Sequence, residues 1–448
     1  MLPVLLEQFL ALAVGFVDKW LAGNLFAGAE PLAAVGLVAY CLAFLPVLFA
    51  VPTVAVTALV SRAAGSGDMT AARRSLAQCG LVAAGATLVM GLVIMIWGAG
   101  LIRSFGLPAE SSALAARYLG IVLPTLPAMA VIWVGVAALR GAGDMVSGLI
   151  SMSVVNIVNA GMSYALATGV GGLPRMGWDG LAWGTAAGYC CGAACVMGLL
   201  LADSRGLRPE RADWRPQPAR LRRIARVGVP AGVDAAANAA CHLTFLSIVN
   251  GLGNVDAAAH AVAVTIESLA FLPGSAFQVA AATLAGQHLG ARDERRARSG
   301  VWRAALAAVV LMGSAGAAFH RWADPLAAWF AGSGAGPEVA VRAAGLVRIV
   351  AFAQPPLALL MVLSGGLRGG GATRPPLVVN FVGLAAVRLP LALLLACGDV
   401  SIPGGWGTLA GAGLGARGAW LAMAADLTLR GLAMAVIVAR PGWTRVRM

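Results

Sequence analysis

From residue 2 to residue 439 the chain is a succession of twelve long apolar runs, parted by short breaks rich in Arg, Gly and Pro. Their approximate bounds are 2 to 25, 32 to 61, 75 to 102, 114 to 139, 146 to 169, 179 to 202, 224 to 251, 257 to 289, 299 to 320, 339 to 366, 375 to 397 and 417 to 439. A helix needs about 20 consecutive apolar residues to cross a bilayer, so each run can supply one crossing. Runs of this length are not the roughly ten-residue alternating segments of a membrane barrel. In hydrocarbon every backbone N–H and C=O must be satisfied within its own segment, which makes the runs helices. The expected fold class is therefore an all-α membrane protein with twelve transmembrane helices. A charged fraction of 11%, against about 25% for soluble domains, agrees. The second, eighth and tenth runs exceed a straight crossing and contain or adjoin Pro46, Pro52, Pro273, Pro355 and Pro356, so kinks or tilts are expected there.

The net charge of +13 comes almost entirely from Arg. Loops taken alternately place Arg62, Arg73, Arg74, Arg140, the arginines of 205 to 226, those of 292 to 303, Arg368, Arg374, Arg440, Arg445 and Arg447 on one side. By the positive-inside rule that side is cytoplasmic, and both termini lie there. With no soluble basic domain to carry the charge, nucleic-acid binding is not expected. The polar stretch Asp203 to Arg223 reads as a cytoplasmic linker, giving an N-terminal lobe 1–203, a linker 204–223 and a C-terminal lobe 224–448. The first run lacks a basic leader, so no signal peptide is expected. The seven cysteines lie mostly within apolar runs and read as small hydrophobes.

The two halves repeat one another. Leu42-Ala43-Phe44-Leu45-Pro46 recurs as Leu269-Ala270-Phe271-Leu272-Pro273, Leu59 to Arg73 matches Leu284 to Arg298, and Leu139-Arg140-Gly141 recurs as Leu367-Arg368-Gly369, at offsets of 227, 225 and 228. Six helices per half keep the repeats in the same orientation, related by an axis near the membrane normal. Transporters are built from such repeats, which rock to expose a central site to alternate sides.

One carboxylate stands out. Asp18 sits in a run otherwise apolar from Leu2 to Leu25 apart from Glu7-Gln8, the adjoining Lys19 and Asn24, and an acid at such a place is either the solvated end of a helix or part of an ion or substrate pathway. Its surroundings carry a resemblance. Val17-Asp18 with Leu21-Ala22-Gly23, Leu32-Ala33-Ala34-Val35-Gly36, Leu59-Val60-Ser61-Arg62 and Gly65-Ser66-Gly67-Asp68 resemble the N-terminal half of a multidrug and toxic compound extrusion (MATE) transporter of bacterial type. Ala258-Ala259-His260, Gly286-Gln287 and Leu367-Arg368-Gly369 resemble its second half. The resemblance covers essentially the whole chain. It implies two six-helix lobes in a V-shaped fold and export of amphipathic small molecules, expected to be cationic, in exchange for Na+ or H+. It also implies a coupling-ion site in the first lobe, built here from Asp18, Asn156, Asn159 and Thr185, which would serve as the metal site if the ion is Na+. Carboxylate, amide and hydroxyl oxygens suit either ion. No other cofactor is expected. The chain departs from many relatives in having Lys19 after the acid, no acid on the fifth helix, and Asn238 and Pro356 or Leu357 where Na+-coupled members carry acids.

The substrate-cleft candidates are Glu267, Gln278, Met361, Arg348 and Arg388, since polar groups within apolar runs and adaptable Met surfaces suit a polyspecific cleft. Asp426 and Arg430 are i, i+4 on the last helix and are expected to pair. Glu7-Gln8 reads as a helix-start pair, and His260 as structural. A flippase for a lipid-linked precursor is the alternative that Arg348 and Arg388 keep open. A membrane-embedded enzyme is not expected, since no Gly-x-Ser-x-Gly or His-Glu-x-x-His pattern occurs. The expected partners are amphipathic substrates and the bilayer of the inner membrane, and a monomer is expected.

Overall fold

The computed structural model describes residues 2–28, 30–104, 108–203, 205–332, 336–401 and 408–446. Met1, Ser204, Arg447 and Met448, which fall in the expected start, linker and basic C-terminal set, lie outside the described residues. The chain forms two compact units, Met1–Gly232 and Val233–Arg447.

The first unit holds α1 (Leu2–Leu25), α2 (Glu30–Ala43), α3 (Leu45–Gly65), α4 (Met69–Ser104), α5 (Ala109–Val122), α6 (Leu126–Gly141), α7 (Ser147–Thr168), α8 (Trp178–Leu201) and the start of α9 (Pro218–Asn250). The expected second and fourth spans are each broken. Pro46 lies in the first turn of α3, where its missing N–H lets the helix restart after Phe44. The turn Leu123–Thr125, with Pro124 in it and Pro127 just beyond, separates α5 from α6. The core is built around Phe49, Tyr118, Met129, Leu139 and Leu181.

The second unit continues α9 and adds α10 (Asn254–Gly290), α11 (Glu294–Arg321), α12 (Ala323–Ala331), α13 (Pro337–Gly369), α14 (Arg374–Val382), α15 (Leu389–Ala396) and α16 (Ala416–Ala439), around Phe245, Ile266, Met312, Leu346 and Trp420. A π-helical stretch Gly383–Arg388 joins α14 to α15. Beside the helices, β1 (Asp399–Ser401) and β2 (Thr408–Ala410) pair antiparallel in a small ribbon. The unit splits the eleventh run and adds the short α12. Among the described residues, eleven helical stretches are long and apolar enough to cross a membrane, with α2 and α3, α5 and α6, and α14 and α15 each taken as one. The further long helix, α1, carries Glu7, Asp18 and Lys19.

The expected linker is not free. Its residues Arg211–Trp214 form a short turn lying on α4. There the Gln78 side chain donates to the carbonyls of Asp213 (2.7 Å) and Arg215 (2.8 Å) and accepts from the Gln217 N–H (3.0 Å). Asp213 is buried against Arg73 and Arg74, each at 3.2 Å. A side-chain amide that reads three backbone groups gives this polar stretch a folded position, which composition alone does not reveal.

The repeat is also built into ion pairs. Glu7 of α1 is buried and paired with Arg140 at the end of α6; 227 positions on, Asp234 of α9 is buried and paired with Arg368 at the end of α13. Glu7 is thus a packing residue between helices. In the second unit Asn380 also donates to both Asp234 oxygens, at 3.0 and 3.2 Å, whereas Glu7 Oε2 has no hydrogen-bond donor among the described residues. Removing one member of a buried pair strands the other, a loss of about 3–5 kcal/mol. Glu7→Ala is therefore expected to lower the thermal unfolding midpoint of the detergent-purified protein, and Glu7→Leu combined with Arg140→Met to restore it. A single variant as stable as the parent would show the pair to be idle.

Candidate cation site

Asp18 lies two-thirds of the way along α1, whose inward face also carries Val14, Leu21 and Ala22. It is 5% exposed, while the neighbouring Lys19 is exposed, as expected from a rotation of about 100° per residue. Three side chains donate to the carboxylate. Tyr118 Oη reaches Oδ2 at 2.6 Å, Thr185 Oγ1 reaches Oδ2 at 3.0 Å, and Asn159 Nδ2 reaches Oδ1 at 3.2 Å. The three also touch one another: Asn159 Nδ2 donates to Thr185 Oγ1 at 2.8 Å, and the Tyr118 and Thr185 hydroxyls are 2.9 Å apart. Ser163, one turn beyond Asn159, extends the cluster at 3.4 Å. No Arg or Lys among the described residues pairs with Asp18.

Helix packing makes this convergence possible. In α8, Gly180, Gly184, Gly188 and Gly192 recur every fourth residue along the face against α7. Such a small-residue ridge lets two membrane helices approach backbone to backbone. At Gly184 a Cβ would strike the Ser163 side chain and backbone, and at Gly188 it would come within 2.8 Å of the Val155 carbonyl oxygen. The close approach carries Thr185 to Asn159. Trp178, at the start of α8, donates from Nε1 to the Leu114 carbonyl at 2.9 Å and packs on Tyr118 at 6.1 Å between ring centroids, which ties α5 to the same site.

Hydrogen bonds to a charged group contribute about 1.5–3 kcal/mol each, and the effective penalty for burying one ion is several kcal/mol. Three donors thus offset part of what burial costs, and a proton or a cation on the carboxylate would relieve the rest. Asn159 Oδ1 is buried with no donor to it among the described residues, so the residue that donates to the acid also carries an uncommitted neutral oxygen. No cluster of three or more His, Cys, Asp or Glu occurs among the described residues.

Of the four residues expected here, three come together. Asn156 does not: its amide donates to the Leu10 carbonyl at 2.9 Å and to Met152 at 2.8 Å, one turn away from Asn159 on α7. Tyr118 and Ser163 complete the group and went unnoticed in the sequence. A tyrosine within an apolar run, in a chain with only four, was the available signal.

The second unit disperses the cleft candidates. Met361 is buried in its core, and Gln278 lies against Gly365 of α13. Arg348 is half exposed and pairs with Asp324 at 2.5 Å. Arg388 donates from Nε to Asp426 at 2.9 Å and lies over the Phe245 ring at 5.8 Å. Asp426 and Arg430 pair as expected, at 2.9 and 2.6 Å, and Arg430 reaches Asn380 at 3.2 Å. The π-helical stretch aims Arg388 inward, and Gly383 within it makes room, since a Cβ there would meet Arg430 and Asp426. His260 accepts from Trp420 Nε1 at 3.1 Å between the Phe245 and Trp420 rings, a packing role. Glu267 makes no ion pair with a described residue, although Arg388 lies within electrostatic reach.

The MatE family profile matches residues 3–165 and 230–394. The chain is 26% identical over 435 residues to the probable multidrug resistance protein NorM of Thermotoga maritima, covering 96% of this chain and 88% of that protein. It is 29% identical over 445 residues to the protein of the same name in Pseudomonas aeruginosa, covering 95% and 86%. A crystal structure of a MATE transporter in the bent conformation superposes with a TM-score of 0.87 at 18% identity, covering 98% of this chain and 92% of the other. The Vibrio cholerae MATE transporter VcmN in its bent form gives 0.85 at 19%, covering 98% and 94%. With a family profile matching both halves in the expected order and the fold shared along nearly the whole chain, this protein belongs to the MATE family of multi-pass membrane transporters.

Proposed function

We propose that the chain is a secondary antiporter that exports amphipathic small molecules, organic cations among them, in exchange for inward flow of H+ or Na+. The observation that carries this is Asp18, a buried carboxylate held by three neutral donors with no cationic partner among the described residues. The names of the relatives, multidrug resistance proteins, support the substrate class. The setting is the bacterial inner membrane, with both termini cytoplasmic, and the working unit is a monomer. No cofactor beyond the coupling ion takes part.

In this reading one cation binds at Asp18, Asn159 and Thr185, with Tyr118 holding the carboxylate. A bound ion moves a conformational equilibrium only if it binds one packing better than the other. The ion here favours the packing of the first unit in which α1, α5, α7 and α8 close on Asp18, and substrate favours the other. Asn156 acts indirectly, by fixing α1 to α7 through the Leu10 carbonyl. In the second unit Glu267 is the carboxylate left to attract a cationic substrate. The flippase reading draws less support, because Arg348 pairs with Asp324 and Arg388 shares Asp426 with Arg430.

The reading is tested with everted vesicles that accumulate a fluorescent organic cation under an imposed pH gradient, an imposed Na+ gradient, or neither. Uptake driven by one gradient and collapsed by the matching ionophore is expected. Uptake indifferent to both gradients would overturn antiport.

A further inference from the structure

Glu7 and Asp18 are the two buried acids of α1, eleven residues apart. That spacing sets them roughly 16 Å apart along the axis and within about 20° of the same direction around it. Each meets α7. Glu7 lies against Gly148, where a Cβ would strike its Oε2, and Asp18 accepts from Asn159, again eleven residues further on.

The seam between these two points carries oxygens without donors. Glu7 is 6% exposed and pairs with Arg140 through Oε1, while Oε2 has no hydrogen-bond donor among the described residues. Asn156 gives its Nδ2 to two carbonyls, those of Leu10 (2.9 Å) and Met152 (2.8 Å), which leaves Oδ1 buried and without a donor among the described residues. Asn159 Oδ1, beside Asp18, is in the same state. The three acceptors form a row along one helix pair, from Asp18 to the end of α1 that the arginine bias makes cytoplasmic.

A buried acceptor left without a donor is costly, and the repeat shows how a carboxylate at this place is otherwise satisfied. Asp234, the counterpart of Glu7, pairs with Arg368 and accepts from Asn380 on both oxygens. At the offset of 228 that aligns Arg140 with Arg368, Met152 stands where the second half has Asn380. A thioether cannot donate. The first half keeps the ion pair and omits the amide, so one carboxylate oxygen stays open. Arg140 is the only charged side chain that α6 or α7 contains. Asp144, ahead of α7, accepts from Val146 and Ser147, and Glu30 of α2 and Asp179 of α8 stand in first turns, at the Asp18 end of the bundle.

We propose that Glu7, beside its packing role, is a second station for the coupling cation, an inference that rests on the antiport reading above. An H+ or Na+ released from Asp18 toward the cytoplasm is taken up on Glu7 Oε2 before it leaves. The Asn159 and Asn156 oxygens line the way. Arg140 fixes the carboxylate through Oε1 and, as a neighbouring cation, keeps the ion from being held tightly.

The test uses the full chain in proteoliposomes, with initial rates of fluorescent organic cation uptake measured against its concentration under the gradient that drives the parent. Glu7→Gln keeps an oxygen for Arg140 and loses the charge; it is expected to lower the maximal rate roughly tenfold with KM unchanged. Glu7→Asp, which installs the acid of the second half, is expected to stay close to the parent. Met152→Asn brings a donor to Oε2 and leaves the ion pair intact. It is expected to raise the unfolding midpoint yet slow transport roughly fivefold, whereas a purely structural Glu7 predicts a more stable protein that is as fast as the parent. A parent indifferent to both gradients would overturn the antiport reading and this proposal with it. A parent that couples, alongside a Glu7→Gln or Met152→Asn protein of parental rate, or a Glu7→Gln loss that Glu7→Asp shares in full, would overturn this proposal alone.

Discussion

Asp18→Asn is expected to abolish gradient-driven export while the protein still folds and still binds substrate. The substitution preserves shape and removes the charge. Its Oδ1 can still accept from Tyr118 and Thr185, which reach the carboxylate at 2.6 and 3.0 Å. Its amide would face the amide of Asn159, but Asn159 Oδ1 has no donor to it at present, and turning that side chain over supplies an acceptor. The turn gives up the donation from Asn159 Nδ2 to Thr185, and the charge that holds a cation is lost. Without differential ion binding the gradient has no purchase on the conformational equilibrium. Coupling free energies of 1–3 kcal/mol correspond to about 5- to 150-fold, so a loss near 100-fold in gradient-driven transport is expected in proteoliposomes. Tyr118→Phe removes the donor to Asp18 and the hydroxyl contact with Thr185, and should cost about tenfold. Coupled export that survived Asp18→Asn would show that the ion binds elsewhere.

The largest effect on stability is expected at Asp426. This residue is fully buried and receives Arg430 through both oxygens and Arg388 through Oδ2. Asp426→Ala leaves two guanidinium groups facing each other in a buried site. One stranded charge costs about 3–5 kcal/mol. Two approach the whole margin of about 5–15 kcal/mol that holds an ordinary domain folded. The variant is expected to give little or no monodisperse protein on size-exclusion chromatography in detergent. Joint replacement of Arg388, Asp426 and Arg430 by Met, Leu and Met should recover folded protein, because no charge is then left unpaired. An Asp426→Ala protein with a parental unfolding temperature would mean that the cluster is more hydrated than its burial indicates.

Some of this was legible in the residues alone. Apolar run length marks spans because a bilayer of fixed thickness admits few solutions, and the observed helices fall on the expected runs. Asp18 was legible for a related reason: a carboxylate is conspicuous where nearly everything else is hydrocarbon. Tyr118 was not, because a tyrosine in an apolar run serves equally as packing. Asn156 and Asn159 were indistinguishable on paper. They lie three residues apart on one helix, and the orientation of α7 against α1 and α8 sends one to the Leu10 carbonyl and the other to Asp18. Met361, Arg348 and Arg388 stood out by type, yet their partners lie on other helices, and partners decide whether a polar group is available.

The sequence by itself determined the class of fold, the repeat, the family resemblance and the one carboxylate around which a cation site could form, because each depends on composition or on order along the chain. Tertiary structure decided which side chains meet Asp18, that the polar segment after α8 folds onto α4, and that the acid and arginine repeated in each half are ion pairs. The physical reason is that hydrocarbon penalises a lone polar group wherever it stands in the chain. Relief comes only from a neighbour a few ångströms away, and the packing of helices chooses that neighbour.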